Sequence, residues 1–121
     1  MSRILVVDDE PHIVKLIEFS LTRNGFECLT AADGVQALEI ASAEQPDLIL
    51  LDVMMPIMTG FETAQKLKAD PATKDIPIVF LSAKSQTYEI EEGLECGASD
   101  YICKPFTPKD LVEKVATALE S

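Results

Sequence analysis

Five apolar runs of strand length alternate with five segments of helical periodicity, and this alternation restricts the possible folds more than any other feature of the chain. The predicted strands cover residues 3 to 8, 26 to 31, 47 to 52, 76 to 81 and 99 to 103, and the predicted helices cover 11 to 24, 34 to 44, 60 to 69, 86 to 96 and 107 to 120. Alternating strands and helices with short connections predict an α/β fold. We expect a (βα)5 doubly wound parallel sheet of five strands, built through right-handed crossovers.

Charged side chains stand where three of these apolar runs stop. Asp8 and Asp9 follow ILVV, Asp52 follows DLILL, and Lys104 follows DYIC. Such positions emerge at the carboxyl edge of a parallel sheet, and the flavodoxin-like order 2-1-3-4-5 makes strands 1 and 3 neighbours. Carboxylates packed together repel one another, and a hard cation such as Mg²⁺ relieves that repulsion while keeping room for a phosphate oxygen. The sequence therefore predicts a site for Mg²⁺ and a phosphoryl group.

Each of these residues also has a simpler interpretation. Asp8 and Asp9, followed by Pro11, are typical of a helix start, where acidic side chains meet the positive end of the helix dipole. Asp52 could begin a turn, and Lys104 could belong to an ordinary loop. The combination of three carboxylates and one amine at matched strand ends favours the phosphoryl site.

The length and charge of the chain favour one protein-binding domain. With 121 residues and 47% hydrophobic content, we expect a single domain over residues 1–121 with a real core. Lys and Arg number 10 against 21 Asp and Glu, a net charge of −11, which disfavours nucleic acid and anionic membranes as partners. The apolar runs are strand-sized and no signal-peptide pattern is present, so we expect a cytoplasmic protein.

The three cysteines do not form a recognisable site. Cys28, Cys96 and Cys103 are widely spaced, without a CxxC pair, and the chain has one histidine. This spacing argues against a zinc site or a disulfide framework. We interpret them as small buried hydrophobic residues.

Several separate motifs, in the same order, match one known family. They are the acidic pair Asp8 and Asp9, Asp52 in LLDVMMP, Gly60, Ser82 in FLSAK, Tyr101, and the triplet Lys104, Pro105 and Phe106. From Arg3 to Leu119 the sequence resembles the receiver domain of the two-component response regulators, the CheY-like superfamily.

This resemblance implies the roles of the acidic residues. Asp52 would be the phosphoacceptor, Asp9 a direct ligand of Mg²⁺ (or Mn²⁺), and Asp8 an acid acting partly through water. The backbone carbonyl of Met54 would be another ligand. Phosphoryl transfer depends mainly on in-line positioning and on neutralising the oxygens of the transferred group, and the metal, the Lys104 ammonium and the Ser82 hydroxyl could neutralise them.

The resemblance also implies a conformational switch. Ser82 and Tyr101 would be the switch pair, with phosphate drawing Ser82 toward Asp52 and Tyr101 turning inward. The bond between Lys104 and Pro105 would be a cis peptide that aims the amine into the site. The output surface would combine the predicted helix 86 to 96, the last strand and the last helix.

Three functions from different classes fit the sequence. The favoured function is a phosphorylation-activated switch of a phosphorelay, and not an enzyme. Such a switch takes phosphate from a histidine kinase or a histidine phosphotransfer protein and assists its own phosphorylation and dephosphorylation. It then binds a downstream effector protein. An aspartyl-phosphate phosphohydrolase would want a second acid where Met54 stands. A module that binds constitutively would have little use for the full set of acids, hydroxyl and lysine.

The output remains the least defined part of the prediction. The chain ends just after its last helix, so it either acts alone or is the receiver fragment of a longer DNA-binding transcriptional regulator. Residues 97 to 114 are typical of receivers attached to DNA-binding domains. Ile90, Cys96 and Ser99 replace charges of the usual dimer contact, so we expect a monomer or a phosphorylation-dependent dimer.

Overall fold

The predicted strands form a sheet, and the described helices cover both of its faces. A computed structural model of the protein describes residues 2–53, 55, 57–83, 100–104 and 106–120. The strands are β1 (Arg3–Val7), β2 (Glu27–Ala31), β3 (Leu48–Asp52), β4 (Ile78–Ala83) and β5 (Asp100–Lys104), and the described helices are α1 (Pro11–Arg23), α2 (Gly34–Glu44), α3 (Gly60–Ala69) and α4 (Pro108–Glu120).

The sheet is entirely parallel and follows the order β2-β1-β3-β4-β5. This confirms the predicted fold class and strand order. The predicted helix over residues 86 to 96 lies outside the described residues. Among the described helices, none combines the length and apolar character needed to cross a bilayer.

Local sequence signals explain where the helices begin. The Asp33 carboxylate caps α2 by accepting a hydrogen bond from the Gln36 N–H at 2.9 Å. At the start of α3, Thr59 and Glu62 form a capping box in which each side chain accepts a hydrogen bond from the other's N–H. Both helices begin and end at the predicted residues.

The two faces of the sheet carry two separate apolar cores. Alternate residues of β1 and β3, such as Leu5 and Ile49, pack toward α2 and α3. The residues between them, such as Ile4 and Leu50, pack toward α1 and α4. Every residue of β3 is buried, as expected for the central strand of a sheet covered on both faces. A charged residue on such a strand can reach solvent only at its end.

The bounds of β4 differ from the prediction of residues 76 to 81. Ile76 is buried but belongs to the preceding turn, where its N–H donates a hydrogen bond to the Thr73 carbonyl at 3.1 Å, and Pro77 has no N–H to give to a strand ladder. The strand therefore begins at Ile78, and Ser82 lies inside it instead of just beyond its end. Likewise Lys104 is the last residue of β5 and not the first after it.

Candidate functional site

The register of the sheet brings two of the predicted acids side by side. Val7 of β1 pairs with Leu51 of β3, so Asp8 and Asp52 occupy the next level of neighbouring strands. Asp8, Asp9 and Asp52 each offer a carboxylate oxygen, and these oxygens lie within 4.8 Å of one another. Asp8 and Asp52 are buried, whereas Asp9 is exposed. We call these three residues the acid cluster.

Lys104 reaches the acid cluster from the end of β5. Its Nζ atom lies 2.9 Å from Oδ2 of Asp8, to which it donates a hydrogen bond, and 3.4 Å from Oδ1 of Asp52. Nζ also lies 3.7 Å from Oε1 of Glu10, a residue that the sequence analysis did not single out. The acidic run before Pro11 includes Glu10, but the run does not indicate which of its side chains reach Lys104.

Burial and charge shift the ionisation of Asp52 and Lys104. Burial, followed by the charge of Asp8, raises the pKa of Asp52 to about 7, against the opposing effect of Lys104. Burial disfavours the ammonium form of Lys104, but the hydrogen bond to Asp8 and the charges of Asp52 and Asp8 outweigh it and raise the pKa of this amine. One ammonium therefore does not neutralise the cluster, and a divalent cation would relieve the remaining repulsion.

Asp8 also takes part in the turn that precedes α1. Its Oδ1 atom accepts a hydrogen bond from the Glu10 N–H at 3.0 Å. The N-cap residue of α1 is Glu10, whose side chain makes no cap hydrogen bond. Both oxygens of Asp8 are thus engaged, one with the turn before α1 and the other with Lys104.

Ser82 and Tyr101 lie on adjacent strands but at different levels, because Ser82 pairs with Cys103 and Tyr101 stands two residues earlier, near the start of β5. Leu81 pairs with Asp52 across β3 and β4, so buried Ser82 stands one level beyond the predicted phosphoacceptor. Tyr101 pairs with Phe80 and is half-buried, and its ring centroid lies 5.6 Å from Nζ of Lys114. The structure holds one arrangement of this pair, so their movement as a switch stays a prediction.

Other predicted residues fall outside the cluster or outside the described residues. Met54, Pro105 and Cys96 are not among the described residues. The carbonyl ligand at Met54 and the cis peptide between Lys104 and Pro105 therefore stay predictions. Cys28 and Cys103 are free, half-buried thiols, and burial raises the pKa of Cys28 to about 11. Such a thiol is protonated at neutral pH, in keeping with a packing role.

The comparisons with known proteins agree with this architecture. The family model of the response regulator receiver domain matches residues 4–116. The chain belongs to this family. As a receiver domain, it is the switch module that two-component systems control by phosphorylation.

One curated relative of this receiver domain is the alkaline phosphatase synthesis transcriptional regulatory protein PhoP of Bacillus subtilis. It is 44% identical over 117 residues, covering 97% of this chain and 48% of PhoP. The chain thus spans about half the length of the relative.

Solved structures of other receiver domains are also similar. A putative response regulator from Chloroflexus aurantiacus superposes with a TM-score of 0.95 at 33% identity, covering 99% of this chain and 98% of that one. The receiver domain of a Pseudomonas aeruginosa sensor histidine kinase gives a TM-score of 0.91 at 30% identity, covering 99% and 98% of the two chains. That structure has a magnesium ion coordinated in its active-site cleft.

Proposed function

We propose that Asp52 is the phosphorylated residue of this receiver domain. The observation that carries the proposal is the constellation around its carboxylate, which shares the acid cluster with two further acids and lies 3.4 Å from the ammonium of Lys104. Among the three acids, Asp8 already has both oxygens engaged, and Asp9 is exposed at the rim. Asp52 ends the central strand, and its raised pKa makes the ionised carboxylate a comparatively basic nucleophile.

The acid cluster fits a hard divalent cation. Asp8, Asp9 and Asp52 supply closely spaced carboxylate oxygens, which suit Mg²⁺ (or Mn²⁺) better than softer metals, and Met54 would add its backbone carbonyl. Bound Mg²⁺ would neutralise charge on the transferring phosphoryl group. The residues of the chain would hold the ion at the edge of the sheet, beside the nucleophile.

The proposed reaction is a transfer between two protein side chains. A carboxylate oxygen of Asp52 attacks the phosphorus of a phosphohistidine, a new P–O bond forms, the P–N bond breaks, and the imidazole of the donor leaves. Lys104 balances the negative charge of the phosphoryl oxygens, and the Ser82 hydroxyl donates to one of them. The product is an acyl phosphate on Asp52, and the phosphoryl donor is a histidine kinase or a histidine phosphotransfer protein.

The new phosphate would then change the surface of the domain. Ser82 moves toward the phosphate and Tyr101 turns inward. These movements alter the surface formed by β5, α4 and the segment before β5, and therefore alter which partners bind there. Since PhoP is a transcriptional regulatory protein of about twice this length, we also infer that residues 1–121 act as one domain controlling a DNA-binding effector.

Incubation with acetyl phosphate and Mg²⁺ tests this function. We expect about one phosphoryl group per chain by intact mass, and no labelling in excess EDTA. Rapid turnover of the donor without a stable product would indicate a phosphohydrolase. The absence of any labelling would indicate a module that binds without phosphate, and would contradict the proposal.

A further inference from the structure

The start of α3 lies directly against the backbone that leaves β3. Gly60, the first residue of α3, is buried, and its N–H donates a hydrogen bond to the Val53 carbonyl at 2.8 Å. A Cβ atom at position 60 would overlap the Asp52 carbonyl oxygen and would lie 2.8 Å from Cα of Val53. These are backbone atoms and cannot rotate away, so only glycine allows this approach.

Val53, the residue after Asp52, is held from two sides. On one side, the Val53 N–H donates to the Leu81 carbonyl of β4 at 3.0 Å, and on the other, the Val53 carbonyl accepts from Gly60. The start of α3 is itself fixed by the capping box of Thr59 and Glu62. The direction of the chain at Asp52 therefore depends on α3 as well as on the sheet.

We propose that Gly60 is a positioning residue for the acid cluster. By seating α3 against the peptide that joins Asp52 to Val53, it holds the Asp52 carboxylate at the separation from Asp8 and Asp9 that a shared divalent cation requires. The inference rests on the proposed function, in which these acids hold Mg²⁺. Gly60 has no side chain, yet we infer that it affects the metal affinity of the acid cluster separately from its effect on folding.

Gly34 provides a matched control for this inference. It too is buried and is the first residue of a helix, α2. A Cβ atom there would overlap Oγ1 of Thr63 and lie 3.0 Å from Sδ of Met58, so it would meet side chains and not the backbone at Asp52. Thr63 lies on α3, but its side chain and that of Met58 can rotate, so Gly34→Ala should destabilise the fold while leaving the α3 backbone seated on Asp52.

The experiment compares Gly60→Ala and Gly34→Ala by calorimetric titration with Mg²⁺ alone and by the rate of labelling with acetyl phosphate. We expect both variants to unfold at lower urea concentration than the parent. Gly60→Ala should also bind Mg²⁺ roughly tenfold or more weakly and accept phosphate correspondingly slowly, because small misplacements of reacting or supporting groups have effects of 10- to 100-fold. Gly34→Ala should stay within about twofold of the parent in both measurements.

A second pair of variants covers the case in which Gly60→Ala does not fold. Thr59→Ala removes the cap of α3, and Thr107→Ala removes the equivalent hydrogen bond at the start of α4, where the Asp110 N–H donates to the Thr107 hydroxyl at 3.1 Å. Only Thr59→Ala should weaken Mg²⁺ binding, by a few-fold, since it loosens the helix seated on Asp52.

If folded Gly60→Ala, or Thr59→Ala in its place, binds Mg²⁺ as tightly as its control, Gly60 is a structural residue only and this inference is wrong. That result would leave the proposed function intact. Failure of the parent chain to bind Mg²⁺ or to accept phosphate would instead overturn the proposed function, and this inference with it.

Discussion

At the scale of single residues, Asp52 links the ionisation of the site to the stability of the fold. Its pKa is raised from 3.8 to about 7 in the folded chain without metal. Between these two values the folded state binds the proton of Asp52 and the unfolded state does not. The contribution of this group to the free energy of unfolding is therefore most favourable near pH 4 and is lost as the pH rises through about 7.

The first prediction follows from this linkage. Asp52→Asn cannot ionise, so its free energy of unfolding relative to the parent should rise between about pH 4 and pH 7, by up to about 4 kcal/mol. Urea unfolding in EDTA at several pH values measures this difference. A constant difference across that range would mean that Asp52 is not held in its protonated form. In Mg²⁺ the pH dependence of the difference should shrink, because the cation stabilises the carboxylate.

Ile57 carries strain in the loop between β3 and α3. It has φ of 72°, a conformation that β-branched residues rarely adopt, and it is 80% exposed, so its side chain gains little from burial. We predict that Ile57→Gly raises the free energy of unfolding by about 1 kcal/mol, since glycine adopts this conformation without a steric cost.

Urea unfolding of Ile57→Gly measures the gain, with Gln45→Gly as the control. Gln45 has φ of 50° but is not β-branched and hydrogen-bonds to the Ala41 carbonyl through its side chain, so its replacement should give a smaller gain or a loss. A destabilised Ile57→Gly variant would show that the Ile57 side chain makes contacts that outweigh the strain.

At the scale of elements, β5 connects the site to the proposed output surface, because it carries Tyr101 near its start and Lys104 at its end. We predict that Lys104→Ala still accepts phosphate, more slowly, since nucleophilic attack depends chiefly on Asp52 and the metal. The same variant should fail to show the conformational change, because without the Lys104 ammonium the phosphoryl group has no ion pair with β5.

NMR shifts around Tyr101 on addition of beryllofluoride, a phosphoryl mimic, measure the change. Lys109→Ala, which removes an exposed ammonium from α4, serves as the control and should behave as the parent does. If Lys104→Ala gives the same shifts as the parent, Lys104 does not couple the site to β5.

The helix and strand bounds show which local signals the sequence carries. The bounds of α2 and α3 match the predicted residues, and in the structure a capping residue stands where each of these helices starts. The start of β4 was predicted wrongly because hydrophobicity alone does not separate buried Ile76, which closes a turn, from the strand that follows. The hydrogen bond from the Ile76 N–H places this residue in the turn, and Pro77, which has no N–H to donate to a strand ladder, was the sequence signal for the boundary.

At the scale of the whole molecule, the sequence was sufficient to predict the sheet and the meeting of its charged strand ends. Alternating apolar runs determine the parallel sheet, and a parallel sheet brings Asp8, Asp52 and Lys104 to one edge. The involvement of Glu10 and the seating of Gly60 on the Asp52 backbone could not be predicted in the same way. Both depend on three-dimensional distances between segments whose individual patterns are ordinary.

The measurement that tests the central claim most directly is the location of the phosphoryl group. The chain is labelled with acetyl phosphate and Mg²⁺, the acyl phosphate is reduced with borohydride, and the modified residue is identified by peptide mass spectrometry. We predict modification at Asp52 in the parent and none in Asp52→Asn, with its fold verified by NMR. Undiminished labelling of Asp52→Asn, or modification of Asp8 or Asp9 in the parent, would contradict the account.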